Sequence, residues 1–193
     1  LVGQPIKGKV VATRPGHYAN TRMARLIRQQ IKRQATKKEI PLLDTTKPSL
    51  MDIEQVKKLL PHRFPFLMVD RILELSDSHI IGMKNTTYNE AFFQGHFPQE
   101  HVFPGVLLVE TMAQVGGILV LSNVDEPEKY STYFLKIDRM KFKHKVIPGD
   151  TIIVRSDLTE PIRRGIVIMY CQAFVGEKIV AEGEMTAQVV KNK

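Results

Sequence analysis

An α+β domain, with one long buried helix wrapped by about five or six antiparallel strands, is the fold class this sequence predicts, and three observations predict it. Residues 102–121 form a stretch in which Glu110 is the only charge. The segments on either side are short runs rich in Ile, Val, Tyr and Phe, closed by Pro and Gly turns. The composition, 43% hydrophobic and 25% charged over 193 residues, is that of a core-forming chain. It excludes wholesale disorder and leaves room for one ordinary domain plus an appendage, not for two full enzymes.

The elements follow in order. Residues 9–13 are a short β-like run closed by Arg14-Pro15-Gly16, and residues 20–38 read as a helix capped by Asn20 or Thr21, with Met23, Ile27 and Ile31 on one side. Pro41 and Lys47-Pro48 break that pattern, so 39–48 is a linker. Ser49 begins a second helix, with Asp52 in its first turn and Ile53, Val56, Leu59 and Leu60 on its apolar face, and Pro61 stops it. Strands are expected at 67–76, 78–87, 132–146, 150–158, 165–175 and 178–190. Between the second and third of these, a helix over 104–122 would be about 30 Å long, enough to span a bilayer. The membrane reading is rejected because Glu110 and Gln114 sit mid-span and no basic flank anchors the ends. The remaining solution is burial against a curled sheet, with Pro104 in a first turn where its missing N–H costs nothing. Cys171 reads as core strand, His62 as a turn residue and His79 as an exposed strand residue. A single cysteine excludes an internal disulfide framework and a thiolate-pair zinc site.

Charge is distributed unevenly. Residues 1–40 hold ten Lys or Arg and one acid, a balance of +9, whereas the rest hold 18 basic and 19 acidic residues, a balance of −1. The basic arm is read as solvated and not as a nucleic-acid contact, because no aromatic residues interleave with it. The first residues lack an apolar signal stretch, and Leu1 is expected to mark a boundary inside a longer polypeptide.

The chemistry concentrates just before and within the long helix. His96 sits in a loop between Gly95 and Pro98, and Glu110 and Gln114 lie one turn apart on one helix side. A neutral imidazole can take a proton from carbon, since it titrates near working pH. A carboxyl group in an apolar setting is pushed toward its protonated form and can give a proton to a leaving hydroxyl. The first free amides of the helix, at Gly105, aim donors at negative charge developing on a carbonyl oxygen. Base, acid and oxyanion donor together describe β-elimination of water from a 3-hydroxyacyl thioester.

Leu60-Pro61-His62-Arg63-Phe64-Pro65-Phe66, Gly95-His96-Phe97-Pro98, Phe103-Pro104-Gly105-Val106 and Glu110-Thr111-Met112-Ala113-Gln114 resemble, in that order, the 3-hydroxyacyl-acyl carrier protein dehydratases of bacterial fatty-acid synthesis. The resemblance runs from about Leu50 to Lys193. It implies a hot-dog fold, a cytoplasmic enzyme without a cofactor or metal, an obligate dimer and commonly a trimer of dimers, and acyl carrier protein as partner. It implies that His96 is the catalytic base, that Glu110 comes from the partner subunit, that Gly105 supplies the thioester-binding amide and that Tyr133 gates the acyl tunnel. His101, Phe103 and Thr111 depart from the residues usual at their positions. The basic row Arg139, Lys141, Lys143 and Lys145, with Arg163-Arg164, is expected to dock the acidic carrier.

Pro15-Gly16-His17-Tyr18-Ala19-Asn20 is similar to the last motif of the zinc-dependent UDP-3-O-acyl-N-acetylglucosamine deacetylases of lipid A synthesis, with His17 at the catalytic histidine. The implied organisation is a deacetylase remnant over 1–38, a linker over 39–48 and the dehydratase over 49–193, as in a bifunctional fusion, with deacetylation not expected of this fragment. Two other readings remain open: an acyl thioesterase on the same fold, and a non-catalytic acyl-binding regulator.

Overall fold

The computed structural model describes residues 16–36, 41 and 47–192, and for 28–36 the backbone alone. The chain divides into two compact units, Leu1–Ile40 and Pro41–Lys193. The expected strand at 9–13 and most of the linker lie outside the described residues.

In the first unit, helix α1 runs His17–Thr36, three residues earlier than expected. Asn20 and Thr21 are interior positions: the Asn20 amide donates to the Gly16 carbonyl at 3.0 Å, and the Thr21 hydroxyl bonds back to the His17 carbonyl at 2.8 Å. The second unit opens with α2, Ile53–Leu59, not with Ser49. Met51 is drawn instead into a two-bond bridge with Ile72, so Asp52 becomes the cap. Its carboxylate accepts from the Gln55 amide at 2.9 Å while the Gln55 side chain accepts from the Asp52 amide at 2.9 Å, a reciprocal capping box.

Six strands follow: β1 Arg71–Leu75, β2 His79–Asn85, β3 Tyr130–Phe142, β4 Thr151–Leu158, β5 Ile166–Val175 and β6 Lys178–Lys191. They form one antiparallel sheet in the order β1-β2-β4-β5-β6-β3. Strand β3 stops at Phe142, short of the expected 146, because Lys143 and His144 turn their amides to the Val180 carbonyl. His79 is half-buried, not exposed. Its ring closes the β1–β2 hairpin, with Nε2 2.7 Å from Glu74 and Nδ1 2.7 Å from the Ser76 hydroxyl.

Helix α3, Gly105–Leu121, packs across this sheet, and Pro104 caps it instead of starting it. Leu108, Met112, Val115, Ile118 and Leu119 are essentially dry and form one core with Ile72, Ile80, Ile152 and Val154. The helix lies close: a Cβ on Gly82 of β2 would stand 2.6 Å from Val115 Cγ2. Among the described residues no helix is long and apolar enough to cross a membrane.

The close approach gives a first prediction. Gly82→Ala forces α3 off the sheet, and the overlap outweighs the backbone entropy gained by losing a glycine, a net cost of about 1–2 kcal/mol. Urea denaturation should show a lower midpoint with an unchanged slope.

Candidate functional site

His96 follows a 3-10 turn, Ala91–Gln94, that the sequence did not announce. Lys84 on β2 is only 7% exposed and bonds Glu90, at the head of that turn, at 2.6 Å; burying the ammonium is tolerable only because the carboxylate meets it. The His96 amide then donates to the Phe92 carbonyl, and the Val102 amide to the His96 carbonyl. The imidazole itself has Nδ1 2.7 Å from the Val102 carbonyl oxygen. A carbonyl only accepts, so Nδ1 carries the proton and Nε2 keeps a lone pair for use as a base. The Phe97 ring stacks on the imidazole at 4.1 Å.

Gly105 is the first residue of α3. Its amide and that of Val106 precede the first intrahelical bonds, which begin with Leu107 and Leu108 donating to Pro104, so they head the positive end of the helix. The Phe142 ring lies 3.1 Å from where a Cβ on Gly105 would stand, so the position accommodates no larger residue without moving that ring.

Glu110 and Tyr133 meet elsewhere. Both line a largely apolar cavity of about 520 Å³ between α3 and the β3–β6–β5 side of the sheet, with Met112, Gly117, Met169 and Met185 along its walls. Cys171 is a buried strand residue, as expected, and also reaches this wall. Gln114 is buried, and its amide donates to Glu110 Oε1 at 2.8 Å and to the Phe66 carbonyl at 2.7 Å while accepting from the Met68 amide at 2.8 Å. His96 and Gly105 are not among the residues lining this cavity. One copy of the chain therefore holds two separate sets: an imidazole near the helix amides, and a carboxyl group on an apolar cavity. Tyr133 is 59% exposed on β3, whose outer edge pairs with no strand among the described residues and carries exposed Phe134, Leu135, Ile137 and Phe142.

The basic row needs correction as a docking surface. Arg139 pairs with Glu184 at 3.0 Å, Lys143 with Glu182 at 2.7 Å and Lys145 with Glu100 at 2.5 Å. Three of the four charges are thus spent on β6 and the His96 loop, acids too far away in sequence to be linked to the row by spacing. Lys141, Arg163 and Arg164 are exposed and have no ionic partner among the described residues. Sequence reasoning also missed His62, treated as a turn residue, whose ring lines the cavity beside Glu110. His101 packs edge-on to Tyr88 and Phe93, with its buried Nδ1 lacking a hydrogen-bond partner. Among the described residues no group of three His, Cys, Asp or Glu side chains is placed to hold a metal ion.

Next to the row, Lys143 holds the Glu182 carboxyl below the usual carboxylate range, with a hydrogen bond from Tyr170 adding to the effect. Burial, then the hydrogen bond to Glu182, pushes the Tyr170 phenol up to about 12. Because the folded state favours the neutral phenol, this contribution to stability is whole below the ordinary value of 10.0 and is lost as pH rises toward 12. Spectrophotometric titration of the five tyrosines should show one ionising near 12, absent in Tyr170→Phe.

The family model for a FabA-like domain matches residues 60–184. The chain is 56% identical over 193 residues to the "Bifunctional enzyme LpxC/FabZ" of Bacteroides thetaiotaomicron, a match covering 100% of this chain and 41% of that protein. It is 46% identical over 140 residues to the "3-hydroxyacyl-[acyl-carrier-protein] dehydratase FabZ" of Syntrophobacter fumaroxidans, covering 72% of this chain and 94% of that one. Among solved structures, the dehydratase heterocomplex ApeI:P from Xenorhabdus doucetiae superposes with a TM-score of 0.59 at 15% identity, covering 69% of this chain and 89% of that chain. This likeness shows the shared hot-dog fold. The chain spans about two-fifths of the length of its bifunctional relatives.

Proposed function

The chain belongs to the FabA-like family, and on that premise we propose that it dehydrates (3R)-3-hydroxyacyl-acyl carrier protein to the trans-2-enoyl thioester, as a cytoplasmic enzyme that needs no cofactor. The observation that carries this reading is the 2.7 Å contact of His96 Nδ1 with the Val102 carbonyl: Nδ1–H donates to that oxygen, so the neutral ring has its lone pair on Nε2. Nε2 removes the C2 proton, and the electrons of that C–H bond form the C2–C3 double bond. The C3–O bond breaks, and the proton of Glu110 leaves with the hydroxyl as water. The Gly105 amide polarises the thioester carbonyl, so charge that builds on its oxygen in the transition state meets a preorganised donor.

Glu110 in this reading acts on substrate held by the His96 of a second copy. The exposed apolar edge of β3 supports it: a long uncovered edge strand with large apolar side chains is a pairing surface. Two copies joined there make the obligate dimer, and trimers of dimers are a further assembly we assign to the family resemblance. Tyr133 would then stand at the mouth of the cavity, and the acyl chain would lie among Met112, Met169 and Met185. The acidic carrier would be met by Lys141, Arg163 and Arg164. Residues 1–38 are read as the end of a deacetylase domain, followed by a linker to 48 and the dehydratase from 49.

Turnover of a 3-hydroxyacyl-acyl carrier protein, followed by enoyl thioester absorbance, tests the reading. His96→Ala and Glu110→Gln should each lower kcat by about 100-fold or more with assembly intact. Release of free thiol without enoyl product would instead assign a thioesterase.

A further inference from the structure

The carboxyl of Glu110 has a second neighbour that the elimination scheme leaves unused. His62 lies on the segment between α2 and β1, with Nε2 3.5 Å from Glu110 Oε1. Its ring is only partly exposed, stacks near Phe66 at 6.2 Å and has a buried Nδ1 without a hydrogen-bond partner. The segment is not free to drift. The Arg63 guanidinium bonds the carbonyls of Lys57, Leu60 and His62 at 2.7–3.1 Å, and Gln114 grips the Phe66 carbonyl and the Met68 amide. A polar nitrogen held in a mostly apolar cavity wall is costly unless it is used.

We infer that His62 is a positioning residue for Glu110. It and Gln114 approach the same oxygen, Oε1, from two sides. With the Gln114 hydrogen bond and the His62 nitrogen, 3.5 Å away, both on Oε1, the other oxygen, Oε2, is left as the place for the transferable proton. Gln114 alone fixes one contact and leaves the carboxyl free to rotate about it; His62 supplies the second contact that stops the rotation. The effect of the imidazole is felt through Glu110. This rests on the reading of Glu110 as proton donor.

The test compares His62→Phe, which keeps a ring against Phe66 but removes both nitrogens, with His62→Gln, whose amide can still donate from about the same reach. Both are measured in the full chain as dimer beside Glu110→Gln and the parent. We expect kcat of the Phe variant to fall about tenfold with KM within about twofold, and the Gln variant to recover most of the loss. A Phe variant with the parent's kcat, while Glu110→Gln is inactive, overturns the role of His62. Equal losses in both variants, accompanied by a lower melting temperature, also overturn it, because the ring then serves only packing. An active Glu110→Gln overturns the underlying reading instead.

Discussion

Gln114 is 2% exposed in a helix that is apolar on nearly every side, and its amide makes three hydrogen bonds there. Each has a different consequence. The bond from Met68 and the bond to Phe66 tie the segment that enters β1 against the middle of α3. The bond to Oε1 holds Glu110, one turn earlier, facing the cavity. A buried amide left unpaired costs on the order of 1–3 kcal/mol per group, so these three contacts stand or fall together. The placement of the acid is therefore tied to the stability of the core and does not depend on a mobile loop.

His96 is held by a separate set of constraints. Lys84 and Glu90 anchor the turn before His96, and the Val102 carbonyl selects the tautomer. Among the described residues no hydrogen bond or ion pair joins this set to Glu110, and the edge of β3 is left with Tyr133, Phe134, Leu135, Ile137 and Phe142 in solvent. In the proposed reading, a second copy paired along that edge resolves both features. In an isologous dimer the same pairing would cover the apolar strand and complete two sites at once.

Much of this was legible before any coordinates. The uncharged run around Glu110 could only be a buried helix or a membrane span, and the strand runs with their Pro and Gly turns left little choice about the sheet. The loop position of His96 and the helix-start position of Gly105 followed from Gly95, Pro98 and Pro104. What could not be read depended on contacts distant in sequence. Met51 leaves its helix for a bridge to Ile72, and spacing gives no hint of that. The basic row looked like a free surface because its acids, Glu100, Glu182 and Glu184, are about 40 or more residues away from most of it, and pairing of strand faces is a property of the sheet. His62 was passed over as a turn residue for the same reason: its neighbour Glu110 lies on the next helix.

In the proposed reaction, catalysis needs His96 from one copy and Glu110 from another. Co-expression of His96→Ala with Glu110→Gln chains measures it directly, since each variant dimer is dead and only mixed dimers hold one intact pair. With random pairing the mixture should recover about a quarter of the parent's activity per chain, because half the dimers are mixed and each has one working site. A mixture as inactive as its two components, with mixed dimers shown to be present, would contradict the shared site.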